Sequence, residues 1–163
     1  MSQLPTYPEN FRWGVATSSF QIEGATDQGG RGESIWDRFC ATPGKVKNGD
    51  NGDMACDHFH RYEEDIALMK SLGVNAYRFS IAWVRIFPTG LESEPNPQGL
   101  AFDDRLVNAV LAAGLEPWAT LYHWDMPQSL EDMGGWPSRD IIDPFVRFAD
   151  AKSLLFGDRV TVS

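Results

Sequence analysis

His123, Trp124 and Asp125 are the residues of this chain best suited to chemistry. They set a titratable imidazole, a large indole and a carboxylate side by side, directly after the apolar run 118–122 and just before Pro127. That run is rich in aromatic and β-hydroxy residues, which suits a buried strand. The proline beyond it prevents further pairing. Ligands of α/β sheets and barrels sit outside the carboxyl ends of the strands, so the tripeptide stands where a binding site belongs. A plainer reading also fits, in which His123 caps the sheet and Trp124 is ordinary packing. Arg78 is a second candidate. Within 75–81, Tyr77, Phe79 and Ile81 share one parity, and Arg78 and Ser80 the other. With Tyr77 and Phe79 against helices, Arg78 points to the opposite side, which in a parallel sheet is also covered. A guanidinium there needs a carboxylate or several acceptors. It is then either a structural ion pair or an arginine that orients an active-site carboxylate. His58 and His60 lie two apart on a predicted helix and do not share a face, so no metal site is expected of them.

The elements that must carry these residues alternate along the chain. Strands are predicted over 11–17, 75–81 and 118–122, with a stub at 159–162. A helix is predicted over 53–72, capped by Asp53 and stopped by Gly73, with Phe59, Tyr62, Ile66, Met69 and Leu72 as its apolar stripe. A second spans 103–113, burying Leu106, Val107, Val110 and Leu111, and Gly114 ends it in the left-handed conformation. After a short helical turn over 138–142, Asp143 caps a third helix with Pro144 at its first position, running through Phe148 and Lys152 to Gly157. The order strand, helix, strand, helix, strand, helix, stub implies an α/β chain of parallel units with right-handed crossovers. Residues 1–10 read as a tail and 11–163 as one domain. The segment 24–51 reads as a long loop, and loops of that length are usually functional. Its Gly29-Gly30-Arg31-Gly32 is not a dinucleotide fingerprint, because no strand–turn–helix surrounds it.

Charge and composition narrow the partners. Fourteen Lys and Arg against 23 Asp and Glu give a net charge of −9, which argues against nucleic acid or an anionic membrane surface. A neutral small molecule remains, and the aromatic content of 12%, with six Trp, suits one. No stretch resembles a signal peptide or a membrane span. Cys40 and Cys56 are too few for a disulfide framework and read as free thiols in a reducing, cytoplasmic setting.

One N-terminal block carries a close resemblance: Phe11-Arg12-Trp13-Gly14-Val15-Ala16-Thr17-Ser18-Ser19-Phe20-Gln21-Ile22-Glu23-Gly24. Ser34-Ile35-Trp36-Asp37, Ala55-Cys56-Asp57-His58, Tyr77-Arg78-Phe79-Ser80-Ile81, Leu121-Tyr122-His123-Trp124-Asp125 and Gly134-Gly135-Trp136 follow it in order and at suitable spacing. Together they resemble glycoside hydrolase family 1, the β-glucosidases. The resemblance implies a partial (β/α)8 TIM barrel, made of the first three βα units and the start of the fourth strand. It implies hydrolysis of terminal β-D-glucosyl residues with retention, and no cofactor. Gln21 and His123 resemble the family's sugar-binding glutamine and histidine, and Trp124 the indole beside the same subsite. Arg78 resembles the arginine paired with the nucleophilic glutamate. Sugars offer hydroxyls for such polar groups and apolar C–H faces for rings.

A retaining glycosidase needs two carboxyl groups about 5 Å apart. The family's acid/base glutamate lies in an Asn-Glu-Pro motif at the end of the fourth strand, and its nucleophile near the seventh. These 163 residues contain no such motif, so both glutamates are expected to be absent and the chain inactive or weakly active alone. Glu23 and Asp125 are the substitute carboxylates to consider. On a strand-like segment Glu23 would face the same way as Gln21, and Asp125 the same way as His123; structural hydrogen bonding is their plainer role. Three strands and a stub would expose an apolar sheet face and bare edges. The expected partners are therefore a β-glucoside and either a second copy, forming a barrel-like homo-oligomer, or a complementing C-terminal half. A non-catalytic carbohydrate-binding fragment is the alternative function.

Overall fold

The structure, a computed structural model, describes residues 6–162. Its strands are β1 (Gly14–Ala16), β2 (Ala76–Ser80), β3 (Glu116–Thr120) and β4 (Thr161–Val162). They form one parallel sheet in sequence order, with Val15 opposite Tyr77, Tyr77 opposite Pro117, and Trp118 opposite Thr161. The helices are α1 (Ser19–Ile22), α2 (Ile35–Ala41), α3 (His58–Ser71), α4 (Trp83–Ile86), α5 (Pro97–Ala112), α6 (Gln128–Asp132) and α7 (Ile142–Phe156). Of the expected tail, residues 1–5 lie outside the described residues. Tyr7 packs its ring 4.6 Å from Phe11 and 4.8 Å from Trp13.

Several boundaries differ from expectation, each for a local reason. α3 starts at His58 rather than after Asp53, because Asp57 takes the left-handed conformation with φ 57°. Asp53 instead accepts hydrogen bonds from Thr26 and Asn51. α5 starts at Pro97: the Asn96 side chain accepts from the Gln98 N–H, and proline suits the first helical position. The long segment 24–51 holds α2, opened by a reciprocal capping box between Ser34 and Asp37. β3 starts at Glu116 and includes Pro117. The Glu116 N–H donates to Asn75 O on the β2 side. By the alternation of a strand the Pro117 nitrogen therefore faces the other edge, where β4 pairs only from Trp118 onward. No N–H is needed there.

The parity of β2 decides which face is packed. Tyr77 and Phe79 are fully buried against the helices, together with Trp83, Phe102, Val110 and Phe148. Trp83 lies flat on Phe148, with centroids 5.1 Å apart at 9°. Arg78, on the opposite parity, is exposed. The expected cover on that side is not provided by the described residues, so the face opens as a groove of about 280 Å³ lined by Gly14, Ala16, Arg78 and Trp118. Apart from Arg12 and Arg78 the lining is glycine or apolar, with Val15, Ala16, Ala76 and Trp118 on its walls. Lys152, on the buried stripe of α7, ion-pairs with the equally buried Asp103 of α5. No helix among the described residues is long and apolar enough to cross a membrane.

Asn96 does more than cap α5, since its amide nitrogen also donates to Gly29 O at 2.7 Å and Arg85 O at 2.9 Å. Asn96→Ala is expected to cost about 1–2 kcal/mol in urea unfolding, at the upper end for a lost cap. Asn96→Asp keeps the cap acceptor but sets a carboxylate oxygen against the Gly29 and Arg85 carbonyls, so it is expected to cost at least as much.

Candidate functional site

β3 ends at Thr120, and His123, Trp124 and Asp125 form the turn that leads to α6. The turn is tight. Trp124 has φ 69°, a left-handed conformation that a bulky residue adopts only under constraint. The constraints are visible. The Asp125 carboxylate accepts from Ser19 Oγ at 2.7 Å, the Ile35 N–H donates to Met126 O at 3.0 Å, and the Gln128 N–H donates to Glu33 O at 2.9 Å. The Trp124 indole is left 65% exposed.

Gln21 reaches the same place from the end of β1. It lies on α1, whose first residue, Ser19, donates its N–H to Ser80 Oγ at 2.8 Å. Gln21, His123 and Trp124 line one cavity of about 380 Å³, with Phe20, Trp36 and Phe39 among its other walls. Phe20 and Trp36 stack 6.1 Å apart at 28°. Phe20 and Trp36 fall inside the quoted sequence blocks, but nothing in their spacing marks them as cavity walls. The cavity thus combines an amide, an imidazole and broad aromatic surface at the carboxyl ends of parallel strands. Such a lining suits a ligand with many hydroxyls and apolar C–H faces. Among the described residues no carboxylate lines it.

The two substitute carboxylates are held elsewhere. Glu23 does not face the same way as Gln21, because this segment is a helical turn and not strand-like. Gln21 is exposed, whereas Glu23 is buried and bonded to Arg85 through Nε at 3.1 Å and Nη2 at 3.0 Å. Arg85 is itself fully buried, its guanidinium 4.3 Å above the Phe59 ring. Burial raises the Glu23 carboxyl above its ordinary range, and the Arg85 charge opposes that rise. Asp125 is 1% exposed, and its Oδ1 has no hydrogen-bond partner among the described residues. Burial pushes its carboxyl up to about 7, with the Ser19 hydrogen bond opposing and the Glu23 charge reinforcing.

Arg78 lines the open groove on the other face of the sheet and not the cavity of Gln21 and His123. His58 and His60 bond to different carboxylates, Asp65 and Asp57, each at 2.6 Å. A more polar cavity of about 430 Å³ lies between Arg31, Asp37 and Asp53 and contains none of the expected site residues.

Comparison with known proteins places this geometry. The chain matches the model of the family described as glycosyl hydrolase family 1 over residues 3–163. It is 52% identical to beta-glucosidase A of Acetivibrio thermocellus over 162 residues, covering 99% of this chain and 36% of that protein. It is 52% identical to beta-glucosidase 42 of Arabidopsis thaliana over 155 residues, covering 94% of this chain and 32% of the relative. The beta-glucosidase from Thermotoga maritima in complex with methoxycarbonyl-substituted glucoimidazole superimposes with a TM-score of 0.92 at 50% identity, covering 96% of this chain and 36% of that one. The family 1 beta-glucosidase from Exiguobacterium antarcticum gives 0.91 at 51% identity, covering 94% and 34%. The chain therefore spans about one third of the length of these relatives. Its four parallel strands and the helices packed on them are a partial (β/α)8 barrel, and with the family match spanning nearly every residue, the chain belongs to glycosyl hydrolase family 1.

Proposed function

We propose that this chain is the sugar-cradling N-terminal part of a retaining β-glucosidase acting on terminal β-D-glucosyl residues. One observation carries the reading: Gln21 and His123, far apart in sequence, line a single cavity with Trp124. In this reading the Gln21 amide and the His123 imidazole hydrogen-bond neighbouring sugar hydroxyls, and Trp124 covers an apolar face of the ring. Arg78, on the inner parity of β2, orients the nucleophilic carboxylate of the complete barrel. The acid/base and nucleophile belong to the part of the barrel that these residues do not supply, and Glu23 and Asp125 do not replace them. The open groove beside Arg78 supports a complementing C-terminal part as partner. Free Cys40 and Cys56 fit a reducing, cytoplasmic setting.

The purified chain is expected to leave an aryl β-glucoside unhydrolysed above background while binding a glucose-shaped inhibitor. His123→Ala should weaken that binding about tenfold, the loss of roughly one well-made hydrogen bond. Turnover abolished by Glu23→Gln or Asp125→Asn would place the chemistry on those carboxylates and overturn the reading.

A further inference from the structure

Ser19, Ser80 and Asp125 are buried at 3%, 3% and 1% exposure and are joined in one chain of hydrogen bonds. The Ser80 hydroxyl donates to Ser19 Oγ at 3.1 Å, and the Ser19 hydroxyl donates to Asp125 Oδ2 at 2.7 Å. The Ser19 N–H donates back to Ser80 Oγ at 2.8 Å. Each residue stands at the carboxyl end of a different strand: Ser19 beyond β1, Ser80 closing β2, Asp125 beyond β3. Each of the two polar site side chains is two residues from a buried, hydrogen-bonded one, Gln21 from Ser19 and His123 from Asp125. Between His123 and Asp125 lies Trp124, held in its left-handed conformation.

We propose that Ser19, Ser80 and Asp125 form a positioning strut that fixes the Gln21 helix relative to the His123–Trp124 turn, and so sets the width of the sugar cavity. Two loops joined only through the sheet would vary in separation by the play of two irregular segments. A direct side-chain tie between them removes that play, and small errors in the placement of binding groups are costly to recognition. The tie runs from the Ser19 hydroxyl to a carboxyl oxygen of Asp125 at 2.7 Å, away from competing water. Ser80, closing a central strand, holds the Ser19 end twice: its hydroxyl donates to Ser19 Oγ and accepts from the Ser19 backbone N–H. The strut touches no ligand. Its action is on Gln21, His123 and Trp124, and what it positions rests on the sugar-site reading above.

The test uses the whole chain labelled with 5-fluorotryptophan, the Trp124 resonance being assigned through Trp124→Phe. Ser19→Ala and Asp125→Ala should each shift or broaden the Trp124 resonance in the ligand-free chain and weaken glucoimidazole binding at least tenfold. Asp125→Asn keeps an acceptor for the Ser19 hydroxyl and should restore both. The double variant Ser19→Ala with Asp125→Ala should lose no more than either single one, since both break the same tie. If Ser19→Ala fails to fold, Ser80→Ala reads the same strut and should also move the Trp124 resonance. An unchanged Trp124 resonance in folded Ser19→Ala or Ser80→Ala overturns the strut. Failure of the wild-type chain to bind glucoimidazole overturns the sugar-site reading instead, while the ligand-free spectra still decide the strut.

Discussion

Arg85→Met lowers the unfolding free energy of this chain by about 3–5 kcal/mol at pH 7. The reason is the company the guanidinium keeps. Arg85 is fully buried on α4, bonds to Glu23 through two nitrogens, donates to the carbonyls of Gly24 and Gln28, and lies over Phe59. Methionine matches the apolar stem, so volume is roughly conserved and the loss is electrostatic. It strands the Glu23 carboxylate in a site where burial already raises its pKa against the pull of Arg85. Without that pull Glu23 takes up a proton, so the penalty shrinks toward acid pH and grows as pH rises. Against a typical domain stability of about 5–15 kcal/mol, a loss of this size brings the chain near its unfolding threshold. Removing the stranded charge should return most of it, so Glu23→Gln with Arg85→Met is more stable than Arg85→Met alone. Urea unfolding of the two singles and the double, read as a cycle, checks this. A cost below about 1 kcal/mol for the single change, within the range of exposed ion pairs, contradicts the account of Arg85 as a buried counter-charge.

The stability of the wild-type chain falls between about pH 4 and pH 7 relative to Asp125→Asn. The Asp125 carboxyl is raised from 3.8 to about 7 in the folded chain, chiefly by burial. In that window the folded chain holds a proton that the unfolded chain has released. Stability therefore decreases as pH rises, by up to about 1.4 kcal/mol per unit of pH. The contribution levels off above the folded value, where both states are ionised. The groups facing Asp125 are the Ser19 hydroxyl, which favours its charged form, the Glu23 carboxylate, which opposes it, and the Arg31 guanidinium, which favours it. Asparagine cannot ionise, so the difference in unfolding free energy between wild type and Asp125→Asn isolates this one group. It should change by several kcal/mol across the window and run in favour of the variant at high pH. A flat difference shows that Asp125 ionises in the folded chain as it does in water, and one that runs the other way shows that folding lowers its pKa; either contradicts the account.

What the sequence made legible depended on whether a signal was local. The parity of 75–81 placed Tyr77 and Phe79 in the core, because a strand alternates whatever surrounds it. The run before His123 announced a strand end, and the quoted blocks announced a barrel of known kind. Local signals were also passed over. Ser34 and Asp37 form a capping box that opens α2 inside the supposed long loop, and Asn96-Pro97 opens α5 ahead of the apolar stripe used to find it. Asp53 looked like a cap, yet the left-handed Asp57 moved the start of α3 by a turn, and backbone sign is not written in the residue type. The buried guanidinium of Arg85 sits on a short helix among Trp83, Val84 and Ile86. Its partner Glu23 stands 62 residues away, which no pattern in either segment discloses. The cavity itself is of the same kind. Gln21 and His123 carried a family likeness each, but Phe20, Trp36 and Phe39 became walls only when the chain brought α1, α2 and the β3 turn together.

The most direct test of the sugar-cradle claim is a titration of the isotope-labelled 163-residue chain with glucoimidazole, followed by NMR at single side chains. The side-chain amide of Gln21, the imidazole of His123 and the indole of Trp124 should move together along one saturating curve. Titration that leaves these three unmoved, or that moves only residues around the separate Arg31–Asp37 cavity, contradicts it.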